Sequence, residues 1–133
     1  MLLRIHSNVH IGQGSKIGSF VWLFPYVVLI NDPHPPSNIM QGVKIGDFSV
    51  VATMTTILPN VNVAKNCLIG AHSLLTLNTE EGMLYSGNPA KKICLAGKIR
   101  LKDGSRKPEY PWTKHFHRGY PEDIVKEWKK AKF

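Results

Sequence analysis

Two stretches of the chain are written in six-residue units: IHSNVH-IGQGSK-IGSFVW-LFPYVV (residues 5–28) and IGDFSV-VATMTT-ILPNVN-VAKNCL-IGAHSL-LTLNTE (residues 45–80). Every unit starts with Ile, Val or Leu, and its fifth residue is small or β-branched, as in Val9, Ser49 and Thr55. Apolar residues spaced by six do not stay on one face of a helix with 3.6 residues per turn. A fixed short period is typical of solenoids, whose units bury their apolar sides against one another. The repeats therefore predict an all-β fold, a parallel β-helix with the leading aliphatic residues inside.

One interruption breaks the phase of the repeat. Leu29 and Ile45 are sixteen residues apart, which is not a multiple of six, so a segment must leave the coil. Residues 33–39 (PHPPSNI) contain three prolines, which cannot continue a sheet ladder. We therefore expect an extruded loop at residues 31–42. Loops held by a rigid scaffold are common places for function.

The repeat also predicts which side chains face outward. Three units make one triangular coil, so residues 1–90 give about four coils, and a solenoid of this size would gain stability from association. In the apolar run FVWLFPYVVLI (residues 20–30) the pattern places Leu23, Val27 and Leu29 inside. It places Trp22, Phe24, Tyr26 and Ile30 outside, where aromatic side chains more often form an interface than a solvated surface. We expect an oligomer.

Composition narrows the class of protein. The longest apolar run, residues 20–30, is too short to span a bilayer, and no secretory signal precedes it. Two cysteines among 133 residues fit a reduced, cytoplasmic protein. Residues 1–90 carry four basic and four acidic side chains, whereas residues 91–133 carry thirteen basic and five acidic ones, the whole net charge of +8. A basic tail suits a phosphate-bearing partner, although a solvated surface explains it equally well.

The tail, residues 91–133, is predicted to form a basic C-terminal cap over the last coil. Asp103–Gly104 is a common hairpin signal. The segment PEDIVKEWKKAKF predicts a terminal helix with Pro121 at its first position, acidic residues at its start and lysines towards its end. His115 and His117 would point to one face if extended, but the sequence offers no clear third metal ligand. No metal is expected.

The repeats, the interrupting segment INDPHPPSNIMQG and the closing segment GNPAKKI resemble the hexapeptide-repeat acyltransferases. The resemblance covers residues 5 to about 93 and is closest to the sugar O- and N-acetyltransferases. It implies a left-handed parallel β-helix that is usually trimeric. It also implies acetyl-CoA as co-substrate and a sugar amine or hydroxyl as acceptor, with a nucleotide-linked amino sugar as one option.

The same resemblance implies roles for individual residues. His34, followed by Pro35, matches the catalytic histidine of the family, and an imidazole can take a proton from the attacking acceptor. Asp32 would orient that imidazole, although it could equally cap a turn. The remaining candidates are Asn31, Trp22 and Tyr26 for the acceptor, and Ala52, Ala71, Lys91 and Lys92 for acetyl-CoA. Ala52 and Ala71 could instead simply suit tight coils, and the two lysines could be solvated.

Two alternative functions use the same kind of scaffold. A γ-class carbonic anhydrase needs a pair of zinc-binding histidines in a later coil, and His72 has no such neighbour in the sequence. A non-catalytic solenoid would serve as an assembly module and would not bind acyl-CoA. Nucleic-acid binding is less well supported, because the basic tail contains no recognisable recognition motif.

Overall fold

The computed structural model describes residues 2–131. The chain divides into two compact units, the first ending at Cys94 and the second beginning at Leu95. The strands are β1 (Arg4–Ile5), β2 (His10–Ile11), β3 (Lys16–Ile17), β4 (Trp22–Leu23), β5 (Val28–Leu29), β6 (Lys44–Ile45), β7 (Val50–Val51), β8 (Thr56–Ile57), β9 (Asn62–Val63), β10 (Leu68–Ile69), β11 (Leu74–Leu75), β12 (Met83–Gly87) and β13 (Ala90–Leu95). The second unit contains two short 3-10 turns, Ala96–Lys98 and Trp112–Lys114, and one helix, α1 (Glu122–Lys130).

The strands stack into the three walls of a parallel β-helix, as the repeats predict. The first wall has the order β1-β4-β7-β10-β12-β13, the second wall β11-β8-β5-β2 and the third wall β3-β6-β9. Regular neighbours are one coil of three units apart, as in the pairing of Arg4 with Trp22. Where the loop intervenes, the register jumps further, so that Val28 pairs with Thr56. The loop therefore leaves the coil between β5 and β6, at the corner of the second and third walls.

The core is filled by the positions that the repeat assigns to it. Leu23, Val27 and Leu29 are fully buried, and Trp22, Phe24, Tyr26 and Ile30 are not. In several units the fifth position places a small polar group inside the coil, namely Ser49, Thr55 and Ser73. Ser49 Oγ donates to the carbonyl of Ala64 and accepts from the backbone N–H of Cys67. Ile5 and Ile11 occupy leading positions but are 47% and 38% exposed, because a neighbouring coil covers them on one side only.

The corners use a left-handed backbone at the fourth position of the unit. Asn8, Asn60 and Asn66 are suited to it, but large side chains also adopt it, with φ between +57° and +63°: Phe20, Tyr26, Phe48, Met54 and His72. A left-handed residue other than glycine costs about 1–2 kcal/mol. A repeating hydrogen bond offsets this cost for the large side chains, because the N–H of each donates to a carbonyl of the coil before, as Met54 does to Pro25.

The second unit contains a hairpin and the terminal helix. Arg100 and Pro108 form an antiparallel bridge around the Asp103–Gly104 turn, which confirms the predicted hairpin. Helix α1 begins at Glu122, one residue later than predicted, because Pro121 keeps an extended ψ of 145°. Lys132 and Phe133, which the predicted helix included, lie outside the described residues. His115 and His117 follow a 3-10 turn and are not part of an extended segment.

Candidate functional site

The two ends of the loop between β5 and β6 are joined at Asn31, and this junction is called the neck. The carbonyl of Asn31 accepts a hydrogen bond from the N–H of Gln41 at 2.7 Å, which joins the two ends of the excursion. The side-chain Nδ2 of Asn31 donates to the carbonyl of Gln13 at 3.2 Å, in the preceding coil. The missing side chain of Gly12 makes room for this contact, since a Cβ there would lie 2.8 Å from Asn31 Cβ. Asn31 therefore anchors the loop to the β-helix.

The carboxylate of Asp32 organises the loop beyond the neck. Asp32 Oδ1 accepts from the Ser37 hydroxyl at 2.7 Å and from the backbone N–H of His34 at 3.2 Å. Its Oδ2 accepts from the backbone N–H of Ser37 at 3.0 Å. The Ser37 hydroxyl is the main reason why the pKa of Asp32 is held below its ordinary value. Asp32 is thus a turn cap in this structure, and its proposed action on the His34 imidazole stays a prediction.

His34 lies on the exposed part of this capped turn. Its backbone is fixed through Asp32, while its imidazole is accessible to a molecule that approaches the loop. Ile39 and Met40, at the end of the same loop, are 61% and 54% exposed. The loop therefore presents an exposed imidazole and, at its other end, two exposed apolar side chains.

The predicted acceptor contacts Trp22 and Tyr26 lie elsewhere on the β-helix. Trp22 is on the outer face of the first wall, where it stacks near Phe24 with ring centroids 5.8 Å apart and lies under the Arg4 guanidinium at 4.9 Å. His6 stacks on Phe24 at 4.7 Å. Tyr26 is 55% exposed, at the corner of the first and second walls. Trp22 and Phe24 are half-buried and Tyr26 is exposed, so the aromatic residues predicted to face outward do lie at the surface.

The predicted acetyl-CoA contacts also belong to the first wall. Ala52 follows β7 directly, Ala71 follows β10 by two residues, and Lys91 and Lys92 lie in β13. Lys92 Nζ is 2.9 Å from Glu80 Oε2, and this carboxylate raises the pKa of Lys92. Lys91 is exposed. A phosphate that binds Lys92 must therefore compete with Glu80, which the sequence did not indicate.

The two groups of candidates do not meet within one chain. His34, Asp32 and Asn31 lie at the corner of the second and third walls, which is opposite the first wall in a triangular coil. Trp22, Ala52, Lys91 and Lys92 lie on the first wall, and Tyr26 and Ala71 at its corner with the second wall. Gly12, Gln13 and Ser37 were not predicted as loop anchors. The repeat shows a glycine after the leading aliphatic residue, as at Gly12, but it does not show that Gly12 packs against Asn31.

Two further properties of residues 2–131 bear on function. No group of three or more His, Cys, Asp or Glu side chains there is arranged so that it could hold a metal ion. In the same range, the longest helix falls short of what a bilayer crossing requires in length and apolar character.

Related sequences are acetyltransferases. Serine acetyltransferase 4 of Arabidopsis thaliana is 29% identical over 122 residues, which are 87% of this chain and 31% of that protein. A Saccharomyces cerevisiae protein, provisionally named as an acetyltransferase, is 33% identical over 108 residues, 74% of this chain and 54% of that protein. No family model matches the chain. The chain thus spans between a third and about half of the length of these curated relatives.

Solved structures of acetyltransferases share the fold. A serine acetyltransferase in complex with CoA superposes with a TM-score of 0.61 at 22% identity, covering 68% of this chain and 37% of that chain. A maltose O-acetyltransferase from Clostridium difficile 630 superposes with a TM-score of 0.53 at 23% identity, covering 71% of this chain and 64% of that chain. The first unit is a left-handed parallel β-helix, the fold that these solved acetyltransferase structures share.

Proposed function

We propose that this protein is a CoA-dependent acetyltransferase whose active site forms between copies of the chain in a homotrimer. The observation that carries the proposal is the separation of the candidates within one chain. The loop with His34 and the first wall with the CoA candidates lie on opposite sides of the β-helix. In a closed trimer the loop corner of one copy meets the first wall of the next, which brings the two half-sites together.

His34 would act as the general base. The acceptor oxygen or nitrogen attacks the thioester carbon of acetyl-CoA while the imidazole takes its proton. The carbon–sulfur bond then breaks, and the imidazolium returns the proton to the thiolate, which leaves as CoA. Such base assistance contributes about 10²–10⁴ in rate. The caps on Asp32 hold the His34 backbone at a fixed position, which favours this role because catalysis depends on geometry.

The acceptor is a small polar molecule with a hydroxyl or an amine. The resemblance of the loop and closing segments favours a sugar, with a nucleotide-linked amino sugar as one option. The exposed Tyr26 and the half-buried Trp22 offer aromatic surfaces on which a sugar ring can pack. L-serine is a second candidate, because the Arabidopsis relative is a serine acetyltransferase. We place the protein in the cytoplasm, and the two unpaired cysteines, Cys67 and Cys94, fit a reducing compartment.

An acceptor screen tests the reaction. Purified protein is incubated with acetyl-CoA and with amino sugars, neutral sugars or L-serine, and CoA thiol release is followed. With a productive acceptor, His34→Ala and His34→Asn are expected to lower kcat by about 10²–10⁴. His10→Ala removes another exposed histidine, on β2, and should leave kcat unchanged. Activity of the His34 variants within threefold of the parent protein at about neutral pH would contradict the role of His34.

Subunit complementation tests the shared site. His34→Ala removes the base, and Ala52→Trp obstructs the first wall, so each variant alone should be inactive. In trimers assembled from an equal mixture, about a quarter of the sites combine an intact loop with an intact wall. Recovery of activity to about that fraction is expected only if the site is shared between copies. A mixture that stays inactive although ultracentrifugation shows mixed trimers would place the site within one chain.

A further inference from the structure

The hairpin of the second unit has two unlike faces. Its strands are joined by hydrogen bonds from Leu101 N–H to the Lys107 carbonyl and from Glu109 N–H to the Ile99 carbonyl, at 2.9 and 2.7 Å. Side chains alternate between faces along each strand. Ile99, Leu101 and Glu109 are half-buried on one face, which also carries the exposed Lys107. Arg100, Lys102 and Pro108 are exposed on the other strand positions, and Arg106 is exposed in the turn, where its backbone is left-handed with φ +58°. We call the three cations Arg100, Lys102 and Arg106 the basic hairpin face.

No acidic side chain neutralises the basic hairpin face. Within the described part of the chain, Arg100, Lys102 and Arg106 form no ion pair within 4.0 Å. The register that pairs Arg100 with Pro108 places Lys102 across the turn from Arg106. An anionic partner would supply the counter-charge that these three exposed cations lack among the described residues.

The turn holds these cations in a defined arrangement. The Asp103 carboxylate accepts from the Ser105 N–H at 2.8 Å, and the Ser105 hydroxyl accepts from the Lys107 N–H at 3.2 Å. The Ser105 side chain, together with the Ser105 N–H, keeps the pKa of Asp103 below its ordinary value. The only carboxylate of the turn is thus occupied with the backbone, which leaves the side chains of the basic hairpin face available to a partner.

We infer that the basic hairpin face docks the protein on an anionic phospholipid surface. Charge complementarity supports this partner, since clustered Lys and Arg are attracted to the negative cytoplasmic leaflet of membranes. Single-stranded nucleic acid is favoured less, because its binding sites use aromatic side chains for base stacking, and the basic hairpin face contains none. The contact is peripheral and does not depend on the proposed enzymatic activity.

Vesicle flotation of the full chain tests the inference. Phosphatidylcholine vesicles with and without phosphatidylserine are compared, and the protein is expected to float only with the anionic vesicles. The bound fraction should fall as salt is raised, because the attraction is screened. The triple variant Arg100→Gln, Lys102→Gln, Arg106→Gln should bind on the order of 100-fold more weakly, since each cation contributes a roughly fivefold factor.

A matched variant separates the hairpin from net charge. A second triple variant, Lys126→Gln, Lys129→Gln, Lys130→Gln, removes the same charge from α1 in the same unit. It should bind the anionic vesicles at least about tenfold more tightly than the hairpin variant does, because it keeps the three cations at the proposed contact. Equal loss in the two variants would overturn the inference, as would parent protein that ignores the anionic vesicles. Binding of a short RNA that depends on the basic hairpin face, without any vesicle binding, would overturn it as well. Circular dichroism and thermal melting confirm that both variants fold.

Discussion

Substitution of Gly12 by alanine is expected to displace the loop that carries His34. A Cβ at this position would lie 2.7 Å from the Leu29 carbonyl oxygen and 2.8 Å from Asn31 Cβ. The Leu29 carbonyl is fixed, because it already accepts the Gly12 N–H at 2.9 Å. Asn31 must therefore move, and its side-chain bond to Gln13 is weakened or lost.

The magnitude follows from the two contacts. Forcing one extra methyl group into a packed site costs about 1–3 kcal/mol. For a unit of this size each kcal/mol lowers Tm by roughly 4–8 °C. The effect on the proposed reaction should be larger, because a misplacement of about 1 Å in a catalytic group can cost 10²-fold. We therefore expect Gly12→Ala to lower kcat far more than its loss of stability alone would explain.

Gly46 provides a matched control in another wall. It occupies the same position of its unit, and a Cβ there would lie 2.6 Å from the Lys65 backbone nitrogen and 2.8 Å from the Ala64 carbonyl carbon. Gly46→Ala should cost a similar amount of stability, but it does not contact the loop. Calorimetry and steady-state kinetics are measured on both variants. Equal kcat values for Gly12→Ala and Gly46→Ala, with equal losses of Tm, would refute the claim that Asn31 positions the loop.

Three further measurements address stability and titration. Ser49→Ala should lower the free energy of unfolding, measured in urea, by roughly 2–4 kcal/mol, because it leaves two buried backbone groups unpaired. Thr55→Val removes one buried hydroxyl and should cost about 1 kcal/mol. A larger loss of stability for Thr55→Val than for Ser49→Ala would contradict this. Burial raises the pKa of Tyr110 to about 12, so ultraviolet titration should show one late tyrosine that Tyr110→Phe removes, and the stability linked to it should be lost as pH rises towards that value. The pKa of Asp32 is lowered, so the stability that its carboxylate gives to the loop is present above the ordinary pKa of 3.8 and is lost as pH falls through the lowered pKa. Ser37→Ala should move this loss to higher pH, which nuclear magnetic resonance of the loop would follow.

The interior of the β-helix could be predicted because its physical cause is periodic. Leading aliphatics such as Leu23 and Ile57 are inward wherever the unit repeats, and the sixteen-residue gap before Ile45 required a segment outside the coil. The corners could not be predicted in this way. Phe20 and Met54 have no intrinsic preference for a left-handed backbone, and they adopt it because hydrogen bonds from the previous coil support it.

The site was less predictable than the fold because its parts are tertiary. His34 was predicted from the phase break, the proline that follows it and the family resemblance, and its role stays a prediction. The Asp32–Ser37 cap and the Asn31–Gln13 anchor could not be predicted, because they depend on which loop atoms meet. The relative placement of the candidates on the walls could not be predicted either. Sequence spacing assigns Trp22 and His34 to the same coil without showing that they face opposite directions.

That opposition makes association part of the proposed chemistry. If the two half-sites met within one chain, an oligomer would add only stability to a small β-helix. Because the loop corner and the first wall are opposite each other, a copy that is alone holds the proposed base away from its own predicted acetyl-CoA contacts. Dilution below the dissociation constant of the trimer should therefore abolish activity while each β-helix stays folded. Activity that falls with dilution in parallel with the trimer population, at unchanged circular dichroism, is the behaviour that only a shared site produces.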